Sequence, residues 1–156
     1  MKEESIFKQF VFVRKRTLAM LDTLSVNQID KIPTGFNNNI LWNIGHIFVS
    51  TESLLYGFVR EQSPIEDRYV KLFTMNTSPK NWSGDIPSFH ELKDNLTLQL
   101  ERVQKEFTGR LHEEGAKPFD LGTVQFTTVA EVFNFAIWHE GLHQGTITCL
   151  NKVLNT

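Results

Sequence analysis

Two histidines four residues apart, His139 and His143, are the side chains best suited to chemistry in this sequence. They lie in the stretch WHEGLHQG, which fits H-E-x-x-H, the signature of zinc metalloproteases. On a helix, residues four apart differ by about 40° in azimuth and ~6 Å in rise, so both imidazoles can reach one metal ion. The chain after His143 contains no His, Asp or Glu. The downstream ligand of such proteases is therefore missing, which argues against a protease.

Two histidines hold a metal ion poorly, so the sequence must supply a third ligand. His46 is the best candidate, because it lies within a strongly apolar stretch that has helical spacing. His90 and His112 lie among polar neighbours, where solvated histidines are common. A metal site formed by His46, His139 and His143 is the resulting prediction.

Two further residues near this site have open roles. Glu140 is about 60° from His143 around a helix, so it is either a general base beside the metal or a solvated helix-face residue. Trp42, one turn before His46, either forms a wall of the site or packs in the core.

Composition limits the class of protein. The 156 residues are 40% hydrophobic and 22% charged with a net charge of −2, which is typical of a globular chain, here expected to be one domain over residues 1–156. Clustered Lys and Arg for nucleic acid are lacking, and Arg14-Lys15-Arg16 is expected to be a solvated helix face. The single Cys149 cannot form an intramolecular disulfide, which allows a reducing compartment, and a cytoplasmic protein is predicted by default. The longest apolar runs are too short for a membrane span.

Periodicity and punctuation predict four long helices. Capping boxes begin at Ser25, Ser88 and Thr128, and apolar residues recur with helical spacing. Asn37-Asn38-Asn39 offers capping side chains before the second helix. The expected helices cover residues 4–24, 40–60, 88–111 and 128–153, with a β-like excursion over 115–127 and a long connection over 61–87 that includes helical turns near 66–73. The last helix carries a heptad pattern: Val132, Ala136, His139, His143, Thr146, Leu150 and Val153. The predicted fold class is all-α, a four-helix bundle with a long connection between helices two and three.

The order of these features resembles the DinB-like (YfiT-like) metal-dependent enzymes. The resemblance spans the chain: Trp42 and Asn43 precede Gly45-His46 in the second helix, and two histidines separated by three residues lie in the fourth. It implies a four-helix bundle in which His46, His139 and His143 bind a divalent metal. Many relatives continue after the last histidine with Arg-Gly-Gln, whereas this chain continues with Gln144-Gly145-Thr146.

The resemblance implies an enzyme without choosing its substrate. The leading hypothesis is a hydrolase or a low-molecular-weight-thiol-dependent transferase that acts on a small molecule with zinc, nickel or manganese as cofactor, since a metal held by imidazoles activates water or a thiol. The alternatives are a non-catalytic, metal-binding or stress-response scaffold, and a structural bundle whose histidines are plain core residues. A homodimer is also predicted, because helix two is apolar around most of its circumference.

Overall fold

The computed structural model describes residues 2–155, most of which are helical. The helices are α1 Glu3–Leu21, α2 Ile40–Phe58, α3 Asp67–Phe73, α4 Phe89–Phe107 and α5 Val129–Leu154, and single 3₁₀ turns lie at Val26–Gln28 and Pro79–Asn81. α1 packs against α4 and α5, and α2 packs against the same two helices. The four long helices predicted from the sequence are confirmed, and they contact one another in a closed ring.

Helix starts follow the predicted capping residues. Asn39, Ser88 and Thr128 each accept a hydrogen bond from the backbone N–H three residues further on. At Thr128 the carboxylate of Glu131 also accepts from the N–H of the capping residue, which completes a capping box and fixes the first turn of α5. Ser25 precedes only a 3₁₀ turn, and its side chain accepts no such hydrogen bond.

Three helices end earlier than predicted: α2 ends at Phe58 instead of residue 60, and two others differ by more. α1 ends at Leu21 and α4 ends at Phe107, where the sequence pattern continued to residues 24 and 111. Leu24 and Leu111 still pack against the core, although they lie in the turns that follow the helices. Their inward side chains extend the helical pattern beyond the point where the backbone leaves the helix.

A β-hairpin interrupts the helical fold, so the all-α prediction needs correction. β1 Glu114–Asp120 pairs antiparallel with β2 Gln125–Thr128, with an irregularity between Glu114 and Phe119. The β-like excursion predicted over residues 115–127 is this hairpin. It packs against α2 and α5 through Phe119 and Phe126, which belong to the core around α5.

α2 is buried on nearly all sides by its own chain. Residues 40–49 are all buried, and the apolar side chains further along the helix at Leu55, Tyr56 and Phe58 are buried as well. α3 packs on one side of α2, α4 and α5 pack on two others, and β1 covers its end. The apolar surplus that suggested a homodimer is therefore covered within one chain, and that basis for the homodimer prediction is wrong.

The short basic run in α1 is only partly a solvated face. Lys15 and Arg16 are exposed, but Arg14 is completely buried, with 0% of its surface exposed. The prediction that all three residues are solvated is therefore wrong for Arg14, whose guanidinium enters the space between the helices.

Within residues 2–155, no helix combines the length and the apolar character needed to cross a membrane.

Candidate metal centre

Three imidazoles meet where α2 crosses α5. His46 comes from α2, and His139 and His143 come from successive turns of α5. Their ring centroids are 5.1 Å (His46 to His139), 4.8 Å (His46 to His143) and 4.6 Å (His139 to His143) apart. One ligand nitrogen from each ring lies within 4.8 Å of the other two. The three residues selected from the sequence are thus brought together by the fold.

His46 is oriented by the end of α3. Its Nδ1–H donates to the carbonyl oxygen of Phe73 at 2.7 Å, which leaves Nε2 as the nitrogen with a free lone pair. The Ser50 hydroxyl lies 3.2 Å from this Nε2. A methyl group added at Gly45 would lie 2.3 Å from the ring of Phe73, so α3 can approach this closely only because residue 45 is glycine. The connection between α2 and α4 is therefore part of the site.

His143 is oriented by Asn43 of α2. The Nδ1–H of His143 donates to Asn43 Oδ1 at 2.7 Å, and Asn43 Nδ2 in turn donates to the carbonyl oxygen of Asn39 at 2.8 Å. Asn43 is 2% exposed, so this hydrogen bond is shielded from water. The tautomer of His143 is thereby fixed with Nε2 unprotonated, as a metal ligand requires.

The surroundings of the cluster are aromatic on two sides. Trp42 stacks on His46 with ring centroids 4.5 Å apart and an interplanar angle of 11°, and its Nε1–H donates to Thr77. Trp42 is buried and also forms a wall of the site, so both of its predicted roles apply. On the other side, the ring of Phe135 lies 6.3 Å from that of His139.

All three imidazoles are held in the neutral form. Burial lowers the pKa of His46, although its bond to the Phe73 carbonyl acts in the opposite direction. Burial and the neighbouring His46 lower the pKa of His139 to about 4, although the carboxylate of Glu140 acts in the opposite direction. Burial and the two other histidines lower the pKa of His143 to about 3. Neutral imidazole is the form that binds metals, so the cluster needs no deprotonation at neutral pH.

The cluster fits a divalent cation in donor type and charge. Imidazole nitrogen suits zinc and nickel. In two of the three rings a hydrogen bond from Nδ1 already leaves Nε2 unprotonated, as a metal ligand requires. In a tetrahedral site with metal–nitrogen bonds of about 2.1 Å, the ligand nitrogens lie ~3.4 Å apart, so nitrogens that lie within 4.8 Å of one another need to close by up to ~1.4 Å. His139 and His143 are partly exposed, which leaves a solvent-facing side for a further ligand.

Glu140, the candidate general base, lies in a buried ion pair. It is 1% exposed, so the alternative of a solvated helix face is wrong. Arg14 Nε donates to both of its carboxylate oxygens, at 2.9 and 3.1 Å, and Arg14 Nη2 donates at 3.0 Å. The Thr17 hydroxyl donates to Oε1 at 2.5 Å. Both oxygens are thus bound by α1, on the side of α5 that faces the interior.

The other candidates lie outside the cluster. His90, His112 and Cys149 are exposed and do not belong to the group of three histidines. Sequence reasoning did not select two groups that orient the ligands, Asn43 and the Phe73 carbonyl. Asn43 had a signal, since it lies three residues before His46 in an apolar helix. A backbone carbonyl carries no signal in its residue type.

Comparison with known proteins identifies the family and the fold. A profile of the DinB superfamily matches residues 9–147. The chain belongs to the DinB superfamily. A solved structure described as a conserved protein of locus from Enterococcus faecalis has a TM-score of 0.70 at 12% identity and covers 99% of this chain and 98% of its own. Because the identity is so low, this similarity shows only that the two proteins share a fold. No curated protein sequence matches the chain.

Proposed function

We propose that this DinB-superfamily chain is a metal-dependent enzyme that holds a divalent cation through Nε2 of His46, His139 and His143. The observation that carries the proposal is the convergence of three neutral imidazoles from α2 and α5, of which those of His139 and His143 are partly accessible. Removing imidazole nitrogens from water costs free energy unless those nitrogens have a partner. A divalent cation is such a partner for all three at once.

The proposed reaction is hydrolysis or transfer of a low-molecular-weight thiol to a small electrophilic substrate. A cation bound by three neutral ligands keeps its full charge, so it acts as a Lewis acid that favours ionisation of a water or a thiol. The residues of the chain keep the ligands in place: the Phe73 carbonyl orients His46, Asn43 orients His143, and Trp42 excludes water behind His46. Of the predicted metals, zinc and nickel suit three imidazoles better than manganese, which prefers oxygen ligands.

The contacts of Glu140 favour a positioning role over a general-base role. Its two oxygens accept four hydrogen bonds from Arg14 and Thr17, so neither is directed at a substrate proton. Glu140 lies between His139 and His143 in sequence, so the ion pair fixes the rotation of α5 about its axis. That rotation sets the direction of both histidine side chains.

Metal titration tests the proposal directly. The wild-type protein, stripped with a chelator and reconstituted with zinc, is expected to bind one equivalent. Substitution His143→Ala leaves two imidazoles and is expected to lower zinc affinity by about 100-fold or more. His90→Ala is the matched control, because His90 is exposed and outside the cluster. Less than about a tenth of an equivalent of zinc, nickel or manganese in the wild-type protein would overturn the proposal.

Activity separates the enzyme from a non-catalytic scaffold. Ester, amide and thiol-transfer substrates are screened with the reconstituted protein, with the His143→Ala variant as the background control. Turnover that is present in the wild type and absent in the variant supports an enzyme. Tight zinc binding without turnover of any substrate class supports the alternative, a metal-binding or stress-response scaffold.

The finer points of architecture and assembly are proposals as well. The closed ring of contacts among α1, α2, α4 and α5 supports a four-helix bundle of the DinB type. A cytoplasmic location agrees with the single exposed cysteine. A homodimer has lost its basis in α2, and light scattering checks it: a mass near the 18.0 kDa of one chain, rather than twice that value, would refute it.

A further inference from the structure

We propose that a shallow aromatic groove beside His139 binds a neutral, apolar ring of the substrate. The site would then select small molecules that carry an aryl or similar apolar group next to the reacting atom. This inference rests on the proposed function, because the ring in the groove and the reacting atom at the three histidines belong to one ligand.

The groove is built from α5 and the hairpin. It has a volume of about 470 Å³ and is lined by Phe126, Glu131, Asn134, Phe135 and Trp138. The ring centroid of Phe135 lies 5.3 Å from that of Trp138 and 5.9 Å from that of Phe126. A volume of this size suits the apolar part of a small molecule.

The groove adjoins the candidate metal centre. Phe135 lies one helical turn before His139, about 40° away around α5, and the two rings are 6.3 Å apart. Phe135 is thus shared: its ring lies beside that of His139, and it also lines the groove. A ligand atom held at the histidines therefore places an attached ring over Phe135 and Trp138.

The exposure of Trp138 points to an occupant of the groove. Trp138 is 58% exposed, although an indole ring gains free energy when it is removed from water. It lines the groove on α5, next to Phe135. The ring of Phe135 in turn lies 5.4 Å from that of Phe119 in the hairpin, so the aromatic rings form a row. A flat aromatic ligand would cover the exposed face of Trp138 and extend that row.

The lack of cationic side chains in the groove favours a neutral ligand. The five lining residues include no Lys or Arg, so nothing in the groove compensates an anionic group. The one carboxylate, Glu131, already accepts hydrogen bonds from the backbone N–H groups of Thr127 and Thr128. A different groove, between α2 and the hairpin, contains Arg60 and Lys117 and is the better place for an anion.

Two hydroxamic acids test the inference on the zinc-loaded protein. Acetohydroxamate and benzohydroxamate present the same metal-binding group, and only the second carries a ring. Benzohydroxamate is expected to bind about tenfold more tightly, since burial of one face of a phenyl ring contributes about that factor. Trp138→Ser should remove the difference and leave acetohydroxamate affinity unchanged, whereas Phe12→Ser, which removes another exposed aromatic ring on α1, should change neither affinity.

The outcomes keep this inference separate from the proposed function. Equal affinity of the two hydroxamates, or an unchanged difference in Trp138→Ser, overturns the aromatic groove while leaving the metal site in place. Failure of both zinc and acetohydroxamate to bind overturns the proposed function. In that case the groove is tested on metal-free protein by amide chemical-shift mapping with 2-naphthol. Shifts at Phe126, Phe135 and Trp138 support the groove, and their absence, or shifts centred on Ser53 and Gly57, refute it.

Discussion

The buried ion pair between Arg14 and Glu140 gives the sharpest prediction about stability. The two side chains are 0% and 1% exposed and join α1 to α5 through three nitrogen–oxygen contacts of 2.9 to 3.1 Å. We consider two single substitutions, Arg14→Met and Glu140→Leu, and the double variant that combines them. Each single substitution leaves one buried charge without its partner, whereas the double variant leaves none.

The magnitudes follow from the partners that remain. In Glu140→Leu the guanidinium keeps only its bonds from Nη1 to the Leu96 carbonyl and the Gln99 side chain. In Arg14→Met the carboxylate keeps only the Thr17 hydroxyl. Loss of one partner of a buried pair costs about 3–5 kcal/mol of unfolding free energy, and replacement of both by apolar residues is often neutral or stabilising. The double variant is therefore expected to lose several kcal/mol less than the sum of the two single losses.

Urea denaturation at pH 7, followed by circular dichroism on metal-free protein, measures these differences. Arg16→Met is the matched control, because Arg16 is exposed two residues away on the same helix and its replacement should change stability by no more than about 0.5 kcal/mol. Losses in the double variant that equal the sum of the single losses would refute the coupling. A Glu140→Leu variant that keeps its stability and its zinc but loses turnover would instead support the hypothesis that Glu140 is the general base.

Three further predictions concern the site itself. Asn43→Ala removes the acceptor that orients His143 and should weaken zinc binding by about 10- to 100-fold in a calorimetric titration. Gly45→Ala forces the ring of Phe73 to move and should lower the unfolding free energy by about 1–3 kcal/mol, whereas Gly141→Ala, with nothing within 4 Å, should raise it by about 0.5–1 kcal/mol; the same sign for both would contradict the contact. Because the pKa values of the cluster histidines are lower in the folded chain, the unfolded chain takes up protons first as the pH falls below about 6.5. Metal-free protein should therefore lose stability from about pH 6.5 down to about pH 4, the pKa of His139 in the folded chain, which urea denaturation across that window checks.

Local signals explain why the helix starts were predictable. The hydrogen bonds that open α2, α4 and α5 join residues three apart, so the identity of Asn39, Ser88 and Thr128 is enough to locate them. The candidate ligands were predictable for a similar reason. A histidine within an apolar helix is an uncommon combination, and the four-residue spacing of His139 and His143 places both on one face of α5.

Long-range pairing explains what the sequence did not reveal. Arg14 and Glu140 are 126 positions apart, and each alone resembles an ordinary surface residue of a helix. Only the packing of α1 against α5 turns them into a buried pair. The same limit applies to the all-round apolar character of α2, which is compatible with a second subunit or with cover from the chain itself. Close packing of Gly115 against the ring of Phe58 shows that the hairpin provides part of this cover.

The long connection between α2 and α4 has a structural role at the site that its composition does not indicate. Gly45 lets the ring of Phe73 lie against α2, and the carbonyl of the same Phe73 then accepts the hydrogen bond from the adjacent His46. Trp82, further along the connection, donates from Nε1 to the Leu72 carbonyl and packs its ring against that of Phe73 at 5.2 Å, which secures the end of α3. Gly45 and His46 therefore depend on the same contact: the glycine allows α3 to pack closely against α2, and the end of α3 fixes the tautomer of the histidine. A change anywhere in this contact should reach His46, the candidate metal ligand, through one carbonyl oxygen.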